Sequence, residues 1–352
     1  MTGENLFLQG KIDEAYKALQ DEGTPRSFYL LGLICREGYG HQKMDEKKAE
    51  EYFKKGKDLG DPLCGLSLFS GEKDQTMWDT VNEDFSRILL AAAAGDVLAM
   101  DEAGLFYTGG GMLLDYEEGM KWLAKGAFYE YWKALYDLGM AYETGLATAP
   151  DMEKAKVCFR KAAECSDKNS EYELADILYE EGKTGEALRL MDKSADHGNE
   201  EAAYFLGKYY EEAENPDFHK AFHWYETAAR LGSAEAMEEL SHFYEKGLIV
   251  PKDLKKAADI LKDSLTLGNK NALFTLGLFY MGNGKEEEAL PWLEAAAKIP
   301  NDKAAYIAGM MYLTGRGTEE NREKGIDYLT LAANLGSEEA EEELRRQGGM
   351  FF

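Results

Sequence analysis

The sequence predicts an all-α protein, a right-handed α/α superhelical solenoid of about nine helix–turn–helix repeats. Three observations carry that prediction. The phrase AARLGSAEA at 228–236 returns almost unchanged as AANLGSEEA at 332–340, 104 residues later. With Gly232 of this phrase as a phase mark, equivalent positions fall at Gly23, Gly60, Gly95, Glu130, Ser166, Gly198, Gly268, Pro300 and Gly336, at intervals of 32 to 37 residues. Around these marks the same columns of small and aliphatic residues recur, and self-similarity at such a period is the signature of stacked helical units.

The columns have a physical reading. Four residues after each mark the residue is small, from Ser27 and Cys64 to Ala236 and Ala340. Eight residues after, it is Leu or Ala, from Leu31 to Leu344, and four before, it is small again, from Gly56 to Ala332. Apolar residues at i, i+3, i+4 and i+7 mark two amphipathic helices per unit. Helix A starts just after the mark, as in AAYFLGKYYEEA at 202–213, and helix B leads to the next mark, as in KAFHWYETAARLG at 220–232. Small residues at fixed points let the two approach closely, and Trp122, Trp224, Trp292 and Tyr328 fill the gaps. The mark glycine ends helix B in a left-handed conformation, and the Ser or Asn that follows caps the next helix.

In chain order, residues 1–11 form an N-terminal segment outside the repeats. Its ENLFLQG at 4–10 differs by two letters from the protease-recognition linker ENLYFQG used in recombinant tags. Residues 12–23 match only a B helix and read as a half-repeat cap. The repeats occupy 12–347, with length variation confined to the turns between helices A and B. Those turns are clipped in EEGKTGEA and MGNGKEEEA. In the second unit the glycine of the Leu-Gly pair is replaced by Phe69, and GEKDQTMWDTVNED at 71–84 reads as a longer, irregular connection. Residues 337–347 match only an A helix and close the array as a cap with a charged outer face. Residues 348–352 are an apolar tail.

The unit A-x-x-x-L-G-x-x-Y, a Gly-x-Gly turn, Asp, Lys-Ala and then A-A-x-x-G resembles the Sel1-like repeat, a relative of the tetratricopeptide repeat. Ala134, Leu138, Gly139, Tyr142, Gly145, Asp151, Lys154, Ala155, Ala162 and Ala163 carry it in the fourth unit. Leu276, Gly277, Tyr280, Gly282, Gly284, Ala289, Trp292, Ala295 and Ala296 carry it in the eighth. The resemblance covers about residues 12–347 and implies a solenoid that scaffolds protein–protein contacts. A cysteine-rich branch of the family, some members of which are credited with β-lactam binding, staples its repeats with disulfides. Here Cys35, Cys64, Cys158 and Cys165 are not paired in successive repeats, which sets that branch aside. On one helix Cys158 and Cys165 would stand about 10 Å apart, beyond the ~7 Å a disulfide spans.

Composition narrows the function classes. The 352 residues carry 66 acidic and 40 basic side chains, a formal charge of −26. Such a surface repels phosphate backbones and anionic lipid, so nucleic acid and membrane are excluded in favour of a protein or peptide partner with a basic segment. No run approaches the ~18 apolar residues of a membrane span, and no signal peptide is visible, so a cytoplasmic location is expected. The glycine-rich TGGG at 108–111, MGNG at 281–284 and TGRG at 314–317 follow helices in phase with the repeat, whereas phosphate loops follow strands. His219 and His223 are spaced i, i+4 but lack a third ligand; His41, His197 and His242 are isolated. No catalytic residue, cofactor site or metal site is assigned.

In helical-pair solenoids the A helices line the concave face. The position three before the Leu-Gly glycine reads Tyr29, Leu66, Asp101, Tyr136, Tyr172, Tyr204, Glu238, Phe274 and Tyr306. Glu143, Asp176, Lys208, Glu211, Glu212, His242 and Glu245 stand at neighbouring positions. The candidate partner-binding set is therefore Tyr29, Tyr136, Tyr172, Tyr204, Lys208, Glu211, Glu238, His242, Phe274 and Tyr306, an aromatic ladder in an acidic trough. Packing between adjacent A helices is the competing use of the same aromatic row. The alternative functions are a sensor of a small molecule or cell-wall fragment and, third, a hydrolase.

Overall fold

The computed structural model describes the backbone of all residues except 41, 69–74, 110–113 and 349–352, and the side chains of these described residues apart from 75–79. They form two compact units, Met1–Leu206 and Gly207–Phe352. In the first, α1 (Gly3–Leu8) and α2 (Ile12–Glu22) precede α3 (Pro25–Glu37), α4 (Glu46–Asp58), α5 (Pro62–Ser67), α6 (Gln75–Ala93), α7 (Val97–Thr108) and α8 (Tyr116–Phe128). Then come α9 (Trp132–Thr144), α10 (Met152–Ala163), α11 (Lys168–Glu180) and α12 (Thr184–Asp196). Helix α13 (Glu200–Glu212) contains the unit boundary. The second unit continues with α14 (Phe218–Leu231), α15 (Ala234–Lys246), α16 (Leu254–Thr266), α17 (Ala272–Gly282), α18 (Glu286–Ala297), α19 (Asp302–Thr314), α20 (Arg322–Asn334) and α21 (Glu338–Arg346). From α3 onward the odd helices are A and the even helices B, so nine A–B pairs lie between Gly23 and Gly336 among the described residues.

The joints between units obey one geometry. Nine of the ten marks adopt a positive φ, from 57° at Glu130 to 119° at Gly232. Among the described residues Glu130 and Ser166 are the only non-glycines to do so. Pro300 is the exception, because its ring fixes φ in the negative range. The reversal returns the chain onto its own helix end. Ser233 N–H donates to the Ala228 carbonyl at 2.9 Å and Ser337 N–H to that of Ala332 at 3.0 Å. Asp61, Asp96, Tyr131, Asn199 and Asn269 repeat the bond toward Gly56, Ala91, Gly126, Ser194 and Ser264. These are the six-to-one bonds of the Schellman motif. The same residue then caps the next helix: Ser233 Oγ accepts from Ala236 N–H at 3.2 Å and Ser337 Oγ from Ala340 N–H at 3.3 Å.

Within a pair, helices touch where a Cβ is missing. The glycine of each Leu-Gly pair faces a large side chain seven before the next mark: Gly32 faces Phe53, Gly139 Phe159, Gly207 Tyr225, Gly277 Leu293 and Gly309 Leu329. Those five large residues are at most 1 % exposed. The gap-filling position is thus one residue later than the Trp122, Trp224, Trp292 and Tyr328 column. Gly104 and Gly309 also meet the first small residue of their B helices, and a Cβ on either would stand 3.2 Å or 3.0 Å from the carbonyl of Gly119 or Gly325. All ten residues four after the marks are buried, at 0–1 % exposure. Six B helices (α4, α8, α10, α14, α16 and α20) start on an Asp or Asn cap, as Asp151 Oδ1 accepts from Lys154 N–H at 3.1 Å, while α12 and α18 start on Lys183 and Lys285 with no side-chain cap bond. The lysine three residues on lies over the tyrosine of the repeat: Lys154 over Tyr142 at 5.1 Å, Lys220 over Tyr210 at 4.7 Å and Lys256 over Tyr244 at 4.1 Å. Asp, Lys and Tyr of the repeat are therefore structural letters.

Two stretches differ from the sequence expectation. Of the connection expected over 71–84, residues 71–74 lie outside the described residues, while 75–84 begin α6, a helix of 19 residues. A stripe of Val81, Phe85, Ile88 and Ala92, each at most 4 % exposed, buries its inner side. Residues 3–8, read as lying outside the repeats, are the helix α1. Phe7 is fully buried, and Trp132 Nε1 donates to its carbonyl at 3.0 Å. The stretch 12–23 thus has a partner helix.

Two measurements test this packing. Glu130→Gly and Ser166→Gly relieve a left-handed strain of about 1 kcal/mol each; each is expected to raise the denaturation midpoint. Gly139→Ala forces a Cβ to within 2.5 Å of the Phe159 ring and is expected to cost about 1–3 kcal/mol. Gly185→Ala, a helical site with nothing within 4 Å, is expected to gain about 0.5–1 kcal/mol instead.

Candidate functional site

In the first unit the N-terminal helices cover part of the inner side. Tyr29 on α3 is 1 % exposed, and its hydroxyl donates to Glu102 Oε1 on α7 at 2.6 Å. Lys168 Nζ at the start of α11 donates to the Gly38 carbonyl that follows α3, at 3.0 Å. Tyr39 meets Trp132 edge-on at 5.1 Å. Asp101, expected in the trough, is buried, and Lys133 Nζ sits 2.8 Å from both its carboxylate and that of Asp137. Glu171, with no exposed surface, is bonded through Oε2 to His197 Nδ1 at 2.7 Å, and its Oε1 lies in an ion pair 2.6 Å from Lys193 Nζ. Tyr29 thus lies in a core built from non-adjacent repeats.

Tyr136 on α9, Tyr172 on α11 and Tyr204 on α13 are half-buried. The Tyr136 ring lies 6.0 Å from Phe159, so one face packs. Carboxylates surround the row. Burial raises the Tyr172 hydroxyl to about 12, helped by Glu201, Asp176 and Glu173. Burial pushes Glu173 up to about 7, helped by Glu143, Asp176, Glu201 and Asp167. Glu143 and Asp176 are raised as well, by burial first and then by carboxylate neighbours. Glu173 and Glu201 lie outside the row three before the Leu-Gly glycine and its chosen neighbours, so the column reading did not single them out.

In the second unit the predicted residues serve contacts inside the fold. Glu211 Oε2 accepts from Tyr225 Oη at 2.6 Å. Glu238 Oε1 accepts from Asn269 Nδ2 at 2.7 Å and Glu245 Oε1 from Asn283 Nδ2 at 3.0 Å, which ties α15 to the residues flanking α17. Lys208 Nζ lies 2.6 Å from Glu212. His242 is exposed, and its ring is made more basic by Glu239 before all else. Phe274 and Tyr306 are half-buried. His219 and His223 are exposed on α14.

A cavity of about 260 Å³ opens in the first unit where five segments converge: Gly10–Glu14, Tyr39 with Gly40, Trp132, Cys165–Lys168 and His197. Gly10, at φ 73°, approaches the Cys165 backbone closely. Asp167 is 5 % exposed; its Oδ2 accepts from Ser170 N–H at 2.8 Å and Ser170 Oγ at 2.5 Å. Burial pushes this carboxyl up to about 6 against those two bonds. Sequence reasoning could not find the cavity, since its walls come from residues up to 187 positions apart.

The Sel1 repeat model matches residues 27–61, 97–127, 132–167, 169–199 and 200–233. A model of plant tetratricopeptide repeats matches 246–346. A Sel1-repeat-containing protein of Escherichia coli K12, YjcO, is 29% identical over 221 residues, 59% of this chain and 95% of that one. The rat DAP3-binding cell death enhancer 1 is 30% identical over 164 residues, 45% of this chain and 32% of that one. A Sel1 repeat protein from Oxalobacter formigenes superposes with a TM-score of 0.61 at 21% identity, covering 99% of this chain and 94% of that one. The uropathogenic E. coli antigen c5321 does so with 0.59 at 24% identity, covering 96% and 74%. Among the described residues no helix is long and apolar enough to cross a membrane. Joint geometry, helix pairing and these matches agree: the chain is a Sel1-like repeat protein, an all-α solenoid of tetratricopeptide type.

Proposed function

We propose that this protein is a non-catalytic scaffold that holds an extended basic segment of a protein partner along Tyr136, Tyr172 and Tyr204. Sel1 and tetratricopeptide repeat proteins generally mediate protein–protein interaction. The rat relative is named for binding another protein. The observation that carries the finer reading is the pairing of a half-buried tyrosine row with a carboxylate cluster in which burial, and after it the repulsion of like-charged neighbours, pushes Glu173 up to about 7. Mutual repulsion of that kind is relieved when a cationic segment lies across it. Tyrosine faces and hydroxyls supply rigid anchors for the same segment. The reading narrows the site to the first unit and leaves Tyr29 out of it.

The partner test is affinity capture from the source cell with mass spectrometry, comparing wild type with the triple variant Tyr136→Ala, Tyr172→Ala, Tyr204→Ala. Loss of a basic partner at tenfold or more in Kd, about 1.4 kcal/mol, is expected; unchanged affinity for every captured protein refutes the tyrosine row. The charge cluster has its own test. A carboxyl whose pKa is higher folded than unfolded favours folding when protonated, and that advantage is lost as pH rises from 4.5 through about 7. Glu173→Gln is therefore expected to match wild-type stability near the acid end. It should exceed it by about 1–2 kcal/mol at about pH 8, after solvent screening. A gap of equal size at both ends assigns the effect to packing instead.

A further inference from the structure

The cavity beside α11 is lined by charge of both signs, but the two signs are not equally available. Lys168 Nζ is committed to the Gly38 carbonyl at 3.0 Å and the Gly198 carbonyl at 3.3 Å. His197 is committed through Nδ1 to Glu171. Lys11 is exposed at the rim. Asp167 spends only Oδ2 on the cap of α11; Oδ1 accepts no bond among the described residues and is not sealed from solvent. Asp13, half-buried and with a partner of its own, lines the cavity next to Gly40, where a Cβ would stand 2.8 Å from its Oδ1. Trp132 and Tyr39 form an apolar aromatic floor with their rings edge to face.

The cavity therefore offers buried negative charge at one end and an apolar wall beside it. We propose that it binds the guanidinium or ammonium end of a short alkyl chain, with the Asp167 carboxylate as ion-pair acceptor and the Trp132–Tyr39 floor covering the methylenes. A carboxylate that is already desolvated loses little more on pairing, and its open Oδ1 can accept a charge-assisted hydrogen bond from a guanidinium or ammonium N–H. An aromatic floor adds a cation–π contribution. Two sources share this chemistry, a free small amine and an Arg or Lys side chain of a partner. The site uses none of the three tyrosines, although Asp167 also acts electrostatically on Glu173 and Tyr136.

Calorimetric titration with n-butylguanidinium, n-butylammonium and butyrate tests the sign of the site on the intact protein. Binding of both cations in the millimolar range with no butyrate binding is expected; butyrate binding as tightly, or no binding of either cation, overturns the proposal. Asp167→Asn removes the charge while Asn keeps the helix cap, and is expected to weaken the cations at least tenfold. Asp151→Asn makes the same change at the cap of α10, outside the cavity, and should leave their affinity unchanged. Equal affinity in wild type and Asp167→Asn refutes the assignment. The triple tyrosine variant should still bind n-butylguanidinium, so failure of the tyrosine row and failure of the cavity are read separately. The peptide acetyl-Ala-Arg-Ala-amide tells the two sources apart: binding as tight as n-butylguanidinium marks a side-chain pocket, and much weaker binding marks a pocket for a free amine.

Discussion

The fold depends on close approach between helices A and B at points where a side chain is reduced to hydrogen or methyl. Gly139 receives the Phe159 ring, and Gly104 and Gly119 bring two backbones together. Burial of a large aromatic against bare backbone yields dispersion contact that a larger residue would forfeit. The joint residue completes the constraint. Its left-handed turn folds the next N–H back onto the helix end, so capping and reversal are one event. Length then varies mainly in the A–B turns, three residues between α11 and α12 and seven between α9 and α10; the second pair, with α5 of six residues and α6 of 19, is the exception.

A second consequence follows within the first unit. The leading helices pack against α7, α9 and α11 as well as against their neighbours in sequence, as the Tyr29–Glu102, Phe7–Trp132 and Gly38–Lys168 contacts record. Positions that a simple stack would leave on an open inner side become interior. Their polar groups must then pair, because a buried unpaired charge costs several kcal/mol. Lys133 between Asp101 and Asp137, and Glu171 between Lys193 and His197, meet that requirement. Part of the acidic composition is thus structural and not a surface field.

The remaining carboxylates divide into two settings. Around Tyr136 and Tyr172 burial, and after it carboxylate neighbours, raises Glu173, Glu143 and Asp176 together, with no cation among their leading influences. On α15 they accept hydrogen bonds from Asn269 and Asn283 and hold neighbouring A helices in register. The same residue type at similar repeat positions therefore stands among like charges in one unit and serves cohesion in the other. Aromatic residues divide likewise, since Tyr29 is core and Tyr172 is half-exposed at one repeat position.

The repeat period, the joints, the helix pairs and the burial of the small columns were all legible in the letters. Each depends on contacts within about one repeat, so each leaves a local pattern. Glu130 and Ser166 were recognised as joints although neither is glycine, because their neighbours kept the phase. The start of α6 was not legible: Phe69 in place of the Leu-Gly glycine pointed to an irregular connection over 71–84, although Val81, Phe85, Ile88 and Ala92 keep helical spacing. What only the tertiary structure decided lies between distant repeats: the burial of Tyr29, the docking of residues 3–8, and the cavity bounded by Asp13, Trp132 and Asp167. The physical reason is that periodicity encodes the step from one unit to the next, whereas contact between the first and fifth units is the sum of many such steps and leaves no pattern of its own.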